Sequence, residues 1–483
     1  MAFDRPTIAP ADVHSVHLIA IGGVGMAALA GMFKQRGYQV RGSDEAIYPP
    51  MSDVLAGLGL EVRSGYHAEN LQPAPDLVVV GNKVSRTNPE VEALLASGLP
   101  YLSFPEALAE FFIAGHRSLV VAGTHGKTTS TAMLGWVLER AGRDPSVMVG
   151  GQSLDFGGNF KLGSGDFFAV EGDEYDTAFF DKGPKFLHYR PSAVLLTAVE
   201  FDHADIYRDL AHVKSAFRQL IELLPESAPL VVAGGFPHAV GVAEEAGAAA
   251  VTFGIGGAND WRIGTLTDTG EMSRVSVLYR GRDEGQITLR GPGTINALNA
   301  LGVYVLCREI GLTHQEVGAG LATFSGVARR QEFAGEFGGV VLIDDFAHHP
   351  TAVAGVIEAI RCRYPGRRLW ALFEPRSNTS RRKVFQGEYV QALGRADRVV
   401  VGGVLQKATD AIADSELFSP EQLVDDLRQR GTEAWVGATA ADISALLAER
   451  VQPGHVVLMM SNGDFGGLRQ LVSAQLSSRI EAP

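Results

Sequence analysis

The chain has 483 residues, of which 46% are hydrophobic and 20% charged, and its formal net charge is −13. This length predicts roughly three domains, since one domain usually takes about 150 residues. The composition is typical of a globular protein and excludes a largely disordered one. The negative charge argues against nucleic acid as a partner, because binding to phosphates needs clustered Lys and Arg.

The sequence also bears on where the protein works. Its two cysteines, Cys307 and Cys362, lie far apart, so we expect neither a disulfide framework nor a zinc site. The first residues, MAFDRPTIAPADVHS, lack the basic start and apolar run of a signal peptide. No run approaches the roughly 18 apolar residues of a membrane span. We therefore expect a cytoplasmic protein without membrane insertion.

Short apolar runs alternate with amphipathic stretches from the start of the chain, which is typical of βα units on a parallel sheet. The first segment contains three predicted strands, VHLIAI (16–21), YQVRGSD (38–44) and DLVVVG (76–81). It closes near FFIAGHRS (111–118), a predicted linker. This pattern predicts an N-terminal Rossmann-like domain over residues 1–114.

A glycine-rich turn follows the first predicted strand. Its residues GVGMAA (23–28) fit the pattern GxGxxA, and Asp44 lies at the distance along the chain that suits a ribose contact. The pattern alone is compatible with NAD, with another diphosphate ligand, or with a packing turn. Because no other residues indicate hydride chemistry, we favour a diphosphate-containing ligand other than NAD.

A phosphate-binding loop is the strongest signal. GTHGKTT (123–129) lies between the predicted strand SLVVAG (118–123) and the helical stretch TAMLGWVLER. Its backbone amides and the helix N-terminus would surround phosphates, Lys127 would add a point charge, and Thr128 would bind Mg²⁺. The loop is a variant, with two residues rather than four before GK, and the alternative is a glycine turn with a solvated lysine. We expect Lys127 to be exposed.

Acidic and imidazole side chains follow two more predicted strands of the same segment. EGDEYD (171–176) follows DFFAV, and Asp202 and His203 follow AVLLTAVEF. A carboxylate and an imidazole at neighbouring strand ends could hold Mg²⁺, although Mg²⁺ prefers oxygen. The alternatives are a solvated acidic turn and a histidine paired with a carboxylate.

Three stretches between 261 and 290 alternate apolar and polar residues, and a helix is predicted from near Asn296. We predict a central domain over 115–326, a P-loop ATPase-like parallel sheet with a small extra sheet.

A third βα series has predicted strands at 340–346, 368–374, 397–403 and 455–463, which predicts a C-terminal Rossmann-like domain over 327–483. DDFAHHP (344–350) ends the first of these strands, with Pro350 suited to a helix start. Its acids and imidazoles could contact ribose, shuttle protons or order a loop. Arg329 and Arg330 could reach a transferring phosphate if this domain closes. The alternative is a charged hinge.

Five motifs in this order resemble the Mur ligase family of peptidoglycan enzymes: GTHGKTT, EGDEYD, FDHADIY, NALNA and DDFAHHP. The resemblance covers nearly the whole chain. It implies three α/β domains and an ATP- and Mg²⁺-dependent ligase that forms a C–N bond through an acyl phosphate, as a monomer or weak dimer. GGVGM then resembles a UDP-sugar site, which disfavours NAD.

Finer matches indicate one branch of the family: YPPMS (48–52), GNKVSRTNPEVE (81–92), FFDKGPKFLHYRP (179–191), EPRSNT (374–379) and MSNGDFGG (460–467). They are similar to the branch that joins the lactoyl carboxylate of UDP-N-acetylmuramate to the α-amine of L-alanyl-γ-D-glutamyl-meso-diaminopimelate, a murein tripeptide, in peptidoglycan recycling. The alternative is the branch that adds free L-alanine.

The resemblance also implies site residues. For the UDP-sugar these are Gly22, Gly23, Gly25, Met26, Ser43 and Asp44. For ATP they are Gly123, Thr124, His125, Gly126, Lys127, Thr128, Thr129, Asn296, Asn299, Arg330 and Asp345. For Mg²⁺ they are Thr128, Glu174 and His203, and for the peptide they are Arg376, Ser377 and Asn378. The implied catalytic residues are Lys127, Glu174, His203 and His349, with His348 or His349 accepting the amine proton.

Two positions refine these expectations. Many relatives have a histidine before the first asparagine of NALNA, where this chain has Ile295, so the adenine contact departs from the family pattern. Where several relatives carry a carbamylated lysine, alignment by eye places Phe217, with Lys214 one turn earlier. We therefore predict no carbamate.

Overall fold

The structure is a computed structural model that describes residues 5–47, 51–404 and 412–478. Residues 48–50 of the YPPMS motif lie outside the described residues. Contacts divide the chain into two compact units, each described by itself below. The first draws on Met1–Val199, Lys214–Thr252 and Gly302–Gly320, and the second on Glu200–Val213, Phe253–Leu301 and Leu321–Pro483. The predicted domain boundaries stay predictions.

The first unit begins with a parallel five-stranded sheet of order β3-β2-β1-β4-β5. Its strands are β1 (Ser15–Ile19), β2 (Gln39–Asp44), β3 (Glu61–Ser64), β4 (Leu77–Val80) and β5 (Tyr101–Ser103). Its helices are α1 (Val24–Gln35), α2 (Met51–Gly57), α3 (Pro89–Ser97) and α4 (Phe104–Leu108). The interior strand β4 is apolar and fully buried, as expected of a parallel strand covered on both faces.

Local sequence signals set the ends of helix α3. The Asn88 side chain accepts hydrogen bonds from the amides of Glu90 and Val91, and Pro89 occupies the first helical position. Gly98 ends the helix with a φ of +70°. Such a cap, proline and terminal glycine satisfy or avoid the unpaired backbone groups at helix ends.

The same unit contains a second sheet segment of order β13-β12-β6-β9-β7-β8, in which only β8 runs antiparallel. Its strands, with the β10–β11 hairpin, are β6 (Arg117–Ala122), β7 (Ser146–Ser153), β8 (Gly158–Lys161), β9 (Phe167–Gly172), β10 (Asp176–Ala178), β11 (Asp181–Pro184), β12 (Pro191–Leu196) and β13 (Leu230–Ala233). The helices of this part of the chain are α5 (Lys127–Arg140), α6 (Leu210–Glu222), α7 (Pro237–Glu245), α8 (Thr294–Glu309) and α9 (His314–Thr323).

The strands predicted between 261 and 290 are present, but they extend a larger ten-stranded sheet and do not form a separate one. The strands of this part of the sheet are β14 (Val251–Gly254), β15 (Trp261–Asp268), β16 (Met272–Tyr279) and β17 (Arg282–Arg290). Strands β15 to β17 form an antiparallel meander, and Phe253 and Gly254 of β14 pair in parallel with β15.

The second unit also contains a six-stranded sheet of order β18-β19-β23-β20-β21-β22, parallel except for β18. Its strands are β18 (Glu332–Phe337), β19 (Val340–Asp345), β20 (Leu369–Phe373), β21 (Arg398–Gly402), β22 (Glu433–Gly437) and β23 (Val456–Met460). Its helices are α10 (Pro350–Arg363), α11 (Gln386–Leu393), α12 (Pro420–Gln429), α13 (Ala440–Arg450) and α14 (Leu468–Ser478). Alternate residues of β20 enter two different core clusters, so helices cover both faces.

The predicted fold class, α/β with parallel sheets, is confirmed. One predicted strand is wrong in length: β12 ends at Leu196, so Asp202 and His203 do not directly follow a strand. Strands β9 and β12 are also not neighbours, since β6 lies between them. The mostly apolar segment TAVEF (197–201) continues beyond Leu196. The amino-acid composition therefore does not show where β12 ends. Among the described helices, each is too short or too polar to cross a bilayer.

Candidate active site

The loop between β6 and α5 has the geometry of a phosphate cradle. Gly123 has a φ of +135°, and a Cβ there would lie 2.4 Å from Thr197 Oγ1, so only glycine fits. Gly126 has a φ of +78° and caps α5, whose first residue is Lys127. The loop therefore presents its amides and the N-terminus of a 14-residue helix at the end of a buried strand, an arrangement that favours anions.

Lys127 is largely but not fully buried, which corrects the expectation that it would be exposed. Its side chain is 12% exposed, and its ammonium lies 2.8 Å from Glu174, whose side chain is 1% exposed. It also donates to the Gly123 carbonyl at 2.6 Å. Burial lowers the pKa of Lys127, but Glu174, Asp173 and Glu171 raise it more, so the pKa is raised overall and the lysine is charged.

Glu171 belongs to this site, although the sequence analysis did not select it. Its two carboxylate oxygens accept from the Thr128 hydroxyl at 2.8 Å and from the Gly150 amide at 2.6 Å. Burial raises the pKa of the Glu171 carboxyl. The available signal was a carboxylate in the otherwise apolar strand β9, which pairs with the strand that leads into the phosphate loop.

The donor set in the first unit fits a hard divalent cation. Thr128 offers a hydroxyl, and Glu171 and Glu174 offer carboxylates, the oxygen ligands that Mg²⁺ prefers. Desolvation raises the pKa of Glu171, and an added positive charge would stabilise its ionised form. His203 lies in the second unit, so its predicted part in metal binding stays a prediction.

A cavity of about 290 Å³ lies in the first unit, between the start of α1 and the end of β9. It is lined by Gly23, Val24, Gly25, Met26, Asn82, Lys83, Phe104, Met148, Val149, Gly150, Val170, Glu171, Asp173, Lys185 and Tyr189. Lys185 is fixed by Asp173 at 2.7 Å. Lys83, Lys185 and Tyr189 occur in the sequence analysis only as parts of longer motifs and are not predicted there as site residues. The lining thus carries two lysines and two carboxylates, Glu171 and Asp173, beside the N-terminus of α1, and a helix N-terminus favours an anionic group.

The turn before α1 is held by Asp44, whose carboxylate accepts the Gly22 amide at 2.8 Å. A Cβ on Gly22 would lie 2.8 Å from that carboxylate, so the turn requires glycine. The predicted contact of Ser43 with the UDP-sugar stays a prediction. Ser43 is fully buried and donates to Glu90 at 2.9 Å, so its hydroxyl is already used inside the protein and does not support a ligand contact.

Phe217 of α6 occupies the position discussed for a carbamylated lysine. It is fully buried and packs on Phe186, with ring centroids 5.5 Å apart. Lys214 is paired with Glu245. The prediction of no carbamate is therefore consistent with the apolar surroundings of this position.

In the second unit, several predicted nucleotide residues lie together. Asn296 of α8 donates to the Gln331 side chain at 3.1 Å, and the Gln331 amide donates to Asp345 at 2.7 Å. Asn299 follows three residues later on the same helix. Arg330 lies over the Phe346 ring at 4.9 Å. Burial raises the pKa of Asp345, and Arg330 opposes that shift.

A buried carboxylate, Asp202, faces imidazoles in the same unit. His348 Nε2 lies 3.7 Å and His203 Nε2 4.0 Å from Asp202 Oδ2. Burial raises the pKa of Asp202, but the imidazoles of His203, His348 and His349 lower it more, and the pKa is depressed overall. The carboxylate is thus ionised and can stabilise positive charge on an imidazole.

Hydrogen bonds distinguish His348 from His349. His349 caps α10, and its Nδ1 accepts the Thr351 amide at 3.3 Å, so in the neutral ring Nε2 carries the proton. His348 Nδ1 lies 3.1 Å from the Phe346 carbonyl, so Nδ1 carries the proton and Nε2 holds the lone pair. In the neutral forms the lone pair therefore lies on Nε2 in His348 and on the capping Nδ1 in His349. The part of either ring in accepting the amine proton stays a prediction.

The predicted peptide residues lie in the loop after β20. The Arg376 guanidinium is 37% exposed and makes long contacts to Glu374 at 3.5 Å and Asp464 at 3.4 Å. A Cβ on Gly463 would lie 2.2 Å from Arg376 Nε, so the guanidinium packs closely over this glycine. The Ser377 hydroxyl caps the Ser380 amide at 2.9 Å, and Asn378 accepts from Arg381 at 2.7 Å. All three residues are half-buried, and their part in peptide binding stays a prediction.

A parallel α/β sheet, a phosphate loop with a buried lysine, and adjacent oxygen ligands define a nucleotide-dependent α/β enzyme. Three family models match the chain in order: Mur ligase family, catalytic domain, over residues 15–116; Mur ligase middle domain over 121–307; and Mur ligase, glutamate ligase domain over 329–463. The chain belongs to the Mur ligase family, which confirms the resemblance seen in its motifs.

Individual relatives cover nearly the full length. The UDP-N-acetylmuramate–L-alanyl-gamma-D-glutamyl-meso-2,6-diaminoheptandioate ligase of Escherichia coli (strain K12) is 36% identical, over 97% of this chain and 99% of its own. A UDP-N-acetylmuramate–L-alanine ligase of Oleidesulfovibrio alaskensis is 34% identical, over 93% and 96%. The crystal structure of a murein peptide ligase from Psychrobacter arcticus 273-4 is 30% identical with a TM-score of 0.70, over 96% and 99%.

Proposed function

We propose that this chain is an ATP- and Mg²⁺-dependent ligase that joins the lactoyl carboxylate of UDP-N-acetylmuramate to the α-amine of L-alanyl-γ-D-glutamyl-meso-diaminopimelate, in peptidoglycan recycling. The observation that carries the proposal is the phosphate loop. There Lys127 forms an ion pair with Glu174, and the Thr128 hydroxyl donates a hydrogen bond to Glu171. The cavity beside it, with two lysines at a helix N-terminus, suits the anionic UDP-sugar.

The chemistry follows from these parts. The lactoyl carboxylate attacks the γ-phosphorus of ATP, which gives an acyl phosphate and ADP. The loop amides and Lys127 neutralise the charge on the transferring phosphoryl group, since positioning and charge neutralisation dominate such reactions. Mg²⁺, held by Thr128, Glu171 and Glu174, would further neutralise the phosphate oxygens. The peptide amine then attacks the acyl carbon, and phosphate leaves.

The attacking amine must lose a proton, and His348 is the better acceptor of the two candidates. Its Nε2 holds the lone pair in the neutral ring, whereas His349 Nδ1 is used to cap α10. Burial lowers the pKa of His348, which keeps the ring neutral, and Asp202 partly opposes this shift. Asp202 would then stabilise the imidazolium that forms.

The second candidate is the alanine-adding ligase, whose chemistry is the same with a smaller amine. The loop EPRSNT (374–379), with its accessible guanidinium, favours the tripeptide. The deciding experiment measures ADP release with UDP-N-acetylmuramate and either the tripeptide or free L-alanine. Higher kcat/KM for the tripeptide supports the proposal, and higher kcat/KM for L-alanine moves the protein to the other branch.

We expect Arg376→Ala to raise KM for the tripeptide about tenfold or more, while KM for ATP and UDP-N-acetylmuramate changes little. The guanidinium is well suited to bind a carboxylate of the peptide in bidentate geometry, and charge-assisted pairs of this kind contribute about 1.5–3 kcal/mol. Arg376→Lys is expected to recover only part of the loss, because lysine lacks the planar fork.

Arg395→Ala is a matched control, since this exposed arginine pairs only loosely with Glu358 at 3.3 Å on the surface of the same unit. It should leave all three KM values unchanged. An unaltered tripeptide KM in Arg376→Ala would remove Arg376 from the peptide site.

We expect UDP and UDP-N-acetylmuramate, and not NAD, to bind the first unit. Titration calorimetry on the full chain is the measurement. Asp44→Ala should weaken UDP binding, because the turn that precedes α1 loses the carboxylate that holds the Gly22 amide. NAD binding without any response to UDP would contradict this assignment.

A further inference from the structure

Two lysines line the cavity of the first unit, and they come from different parts of the sequence. Lys83 follows β4, which pairs with the strand that leads into the glycine turn before α1. Lys185 follows the β10–β11 hairpin, and its ammonium lies 2.7 Å from the carboxylate of Asp173, the residue after β9. The lining therefore has a turn end, with Gly23 and Lys83, and a β9 end, with Glu171, Asp173 and Lys185.

The β9 end of the cavity adjoins the phosphate loop. Glu171 lines the cavity and also accepts the Thr128 hydroxyl at 2.8 Å. Gly150, another residue of the lining, donates its amide to the same carboxylate at 2.6 Å. Thr128 is the second residue of α5, which the phosphate loop precedes. A ligand group at the β9 end would thus lie one side chain away from the residues proposed to bind ATP.

The proposed sugar substrate carries two anionic groups, a diphosphate and the lactoyl carboxylate. Because the carboxylate attacks the γ-phosphorus, it belongs at the β9 end, and the diphosphate then takes the turn end, at the N-terminus of α1. Glu171 and Asp173 would repel a third carboxylate at the β9 end. Among the lining residues that the structure describes, Lys185 is the one cation at this end.

Lys185 is held in place by its neighbours in the first unit. Its side chain is 15% exposed and paired with Asp173, and its ammonium lies 5.5 Å from the centre of the Tyr175 ring. An ammonium has three hydrogen-bond donors, so it can bind a second carboxylate without release of Asp173. A cation fixed in this way loses little side-chain entropy when a ligand binds.

We propose that Lys185 binds the lactoyl carboxylate of UDP-N-acetylmuramate and orients it toward the phosphate loop, whereas Lys83 acts on the diphosphate. The inference rests on the function proposed above and names the residue that recognises the reacting group. UDP-N-acetylglucosamine has the same diphosphate and amino sugar but lacks the lactoyl group. An uncharged side chain at position 185 should therefore weaken the binding of UDP-N-acetylmuramate alone.

The test measures the dissociation constants of both sugar nucleotides by calorimetry on the full chain, without ATP or peptide. The parent should bind UDP-N-acetylmuramate about tenfold or more tightly than UDP-N-acetylglucosamine, because a hydrogen bond to a charged group contributes at least that much. In Lys185→Met this ratio should fall to one or below, since Glu171 and Asp173 then repel the carboxylate. Lys185→Arg, which keeps the charge, should retain part of the preference. Lys83→Met should weaken both ligands equally and leave the ratio unchanged.

Lys182→Met is the matched control. Lys182 belongs to the hairpin that precedes Lys185 and also pairs with an aspartate, Asp176 at 3.1 Å, but it is 67% exposed and does not line the cavity. This variant should keep the parent ratio. If Lys185→Met lowers the melting temperature sharply, the double variant Lys185→Met, Asp173→Asn takes its place, because it leaves no unpaired aspartate, and the ratio is again expected to fall.

Two results overturn the inference: a ratio of one in the parent, or an unchanged ratio in Lys185→Met. A parent enzyme that binds neither sugar nucleotide would instead overturn the proposed function, so the two failures are distinguishable.

Discussion

Replacement of Lys127 by methionine is expected to lower kcat for ATP-dependent ligation by about 100-fold or more. The variant loses the one charged side chain of the phosphate loop, and a single group that stabilises charge developing in a transition state contributes about that much. Methionine keeps the length of the side chain in a position that is only 12% exposed. ADP release under saturating substrates is the measurement.

The burial of Lys127 requires a second measurement in this experiment. Removal of the lysine takes away one charged partner of the buried Glu174, and breaking a buried ion pair costs up to about 3–5 kcal/mol. Thermal unfolding must therefore accompany the kinetics. The double variant Lys127→Met, Glu174→Gln should regain part of the lost stability without regaining activity.

Lys161→Met is the control for the loss of a paired lysine in the same unit. Lys161 lies 2.9 Å from Glu139 and does not belong to the phosphate loop. It is expected to retain near-parental turnover. A folded Lys127→Met variant that keeps normal kcat would remove the loop from catalysis.

Glu174→Gln is expected to raise the Mg²⁺ concentration needed for half-maximal activity by about tenfold or more, a typical cost for loss of a group that supports a metal site. The amide keeps the shape of the side chain but loses the charge that a hard cation favours. It also removes the partner of Lys127, so the lysine is held less firmly against the phosphate.

The measurement is a Mg²⁺ titration of ADP release at fixed ATP. Glu139→Gln serves as the control, because Glu139 also pairs with a lysine, at 2.9 Å, outside the phosphate loop. If the Mg²⁺ curve of Glu174→Gln overlays that of the parent, Glu174 is not part of the metal site, and Thr128 with Glu171 would be the remaining candidates in the first unit.

Motifs and hydrophobic periodicity were enough to predict the α/β class, most strands, the antiparallel strands between 261 and 290 and the family. These features depend on local sequence. A buried parallel strand consists of a run of apolar residues, and a phosphate loop needs glycines and a lysine at set spacing. Gly123 illustrates this, since its φ of +135° and the lack of room for a Cβ require the residue that the motif contains.

Other features depend on contacts between distant segments, which no local pattern encodes. Lys127 is buried because Glu174, 47 residues away, lies against it. Glu171 joins the site because β9 pairs with β6. Strand β12 ends at Leu196 although the apolar run continues, and the order of the strands separates β12 from β9.

His348 and His349 show most clearly which features the sequence determines and which ones the tertiary structure decides. The sequence DDFAHHP placed both imidazoles at one strand end and determined that a helix follows at Pro350. Their hydrogen bonds differ because Thr351 donates to one ring and the Phe346 carbonyl faces the other. The sequence by itself thus determined the class of chemistry, the loop and the helix start, whereas the tertiary structure decided the protonation and burial of each side chain, because these depend on which groups the fold brings within hydrogen-bonding distance.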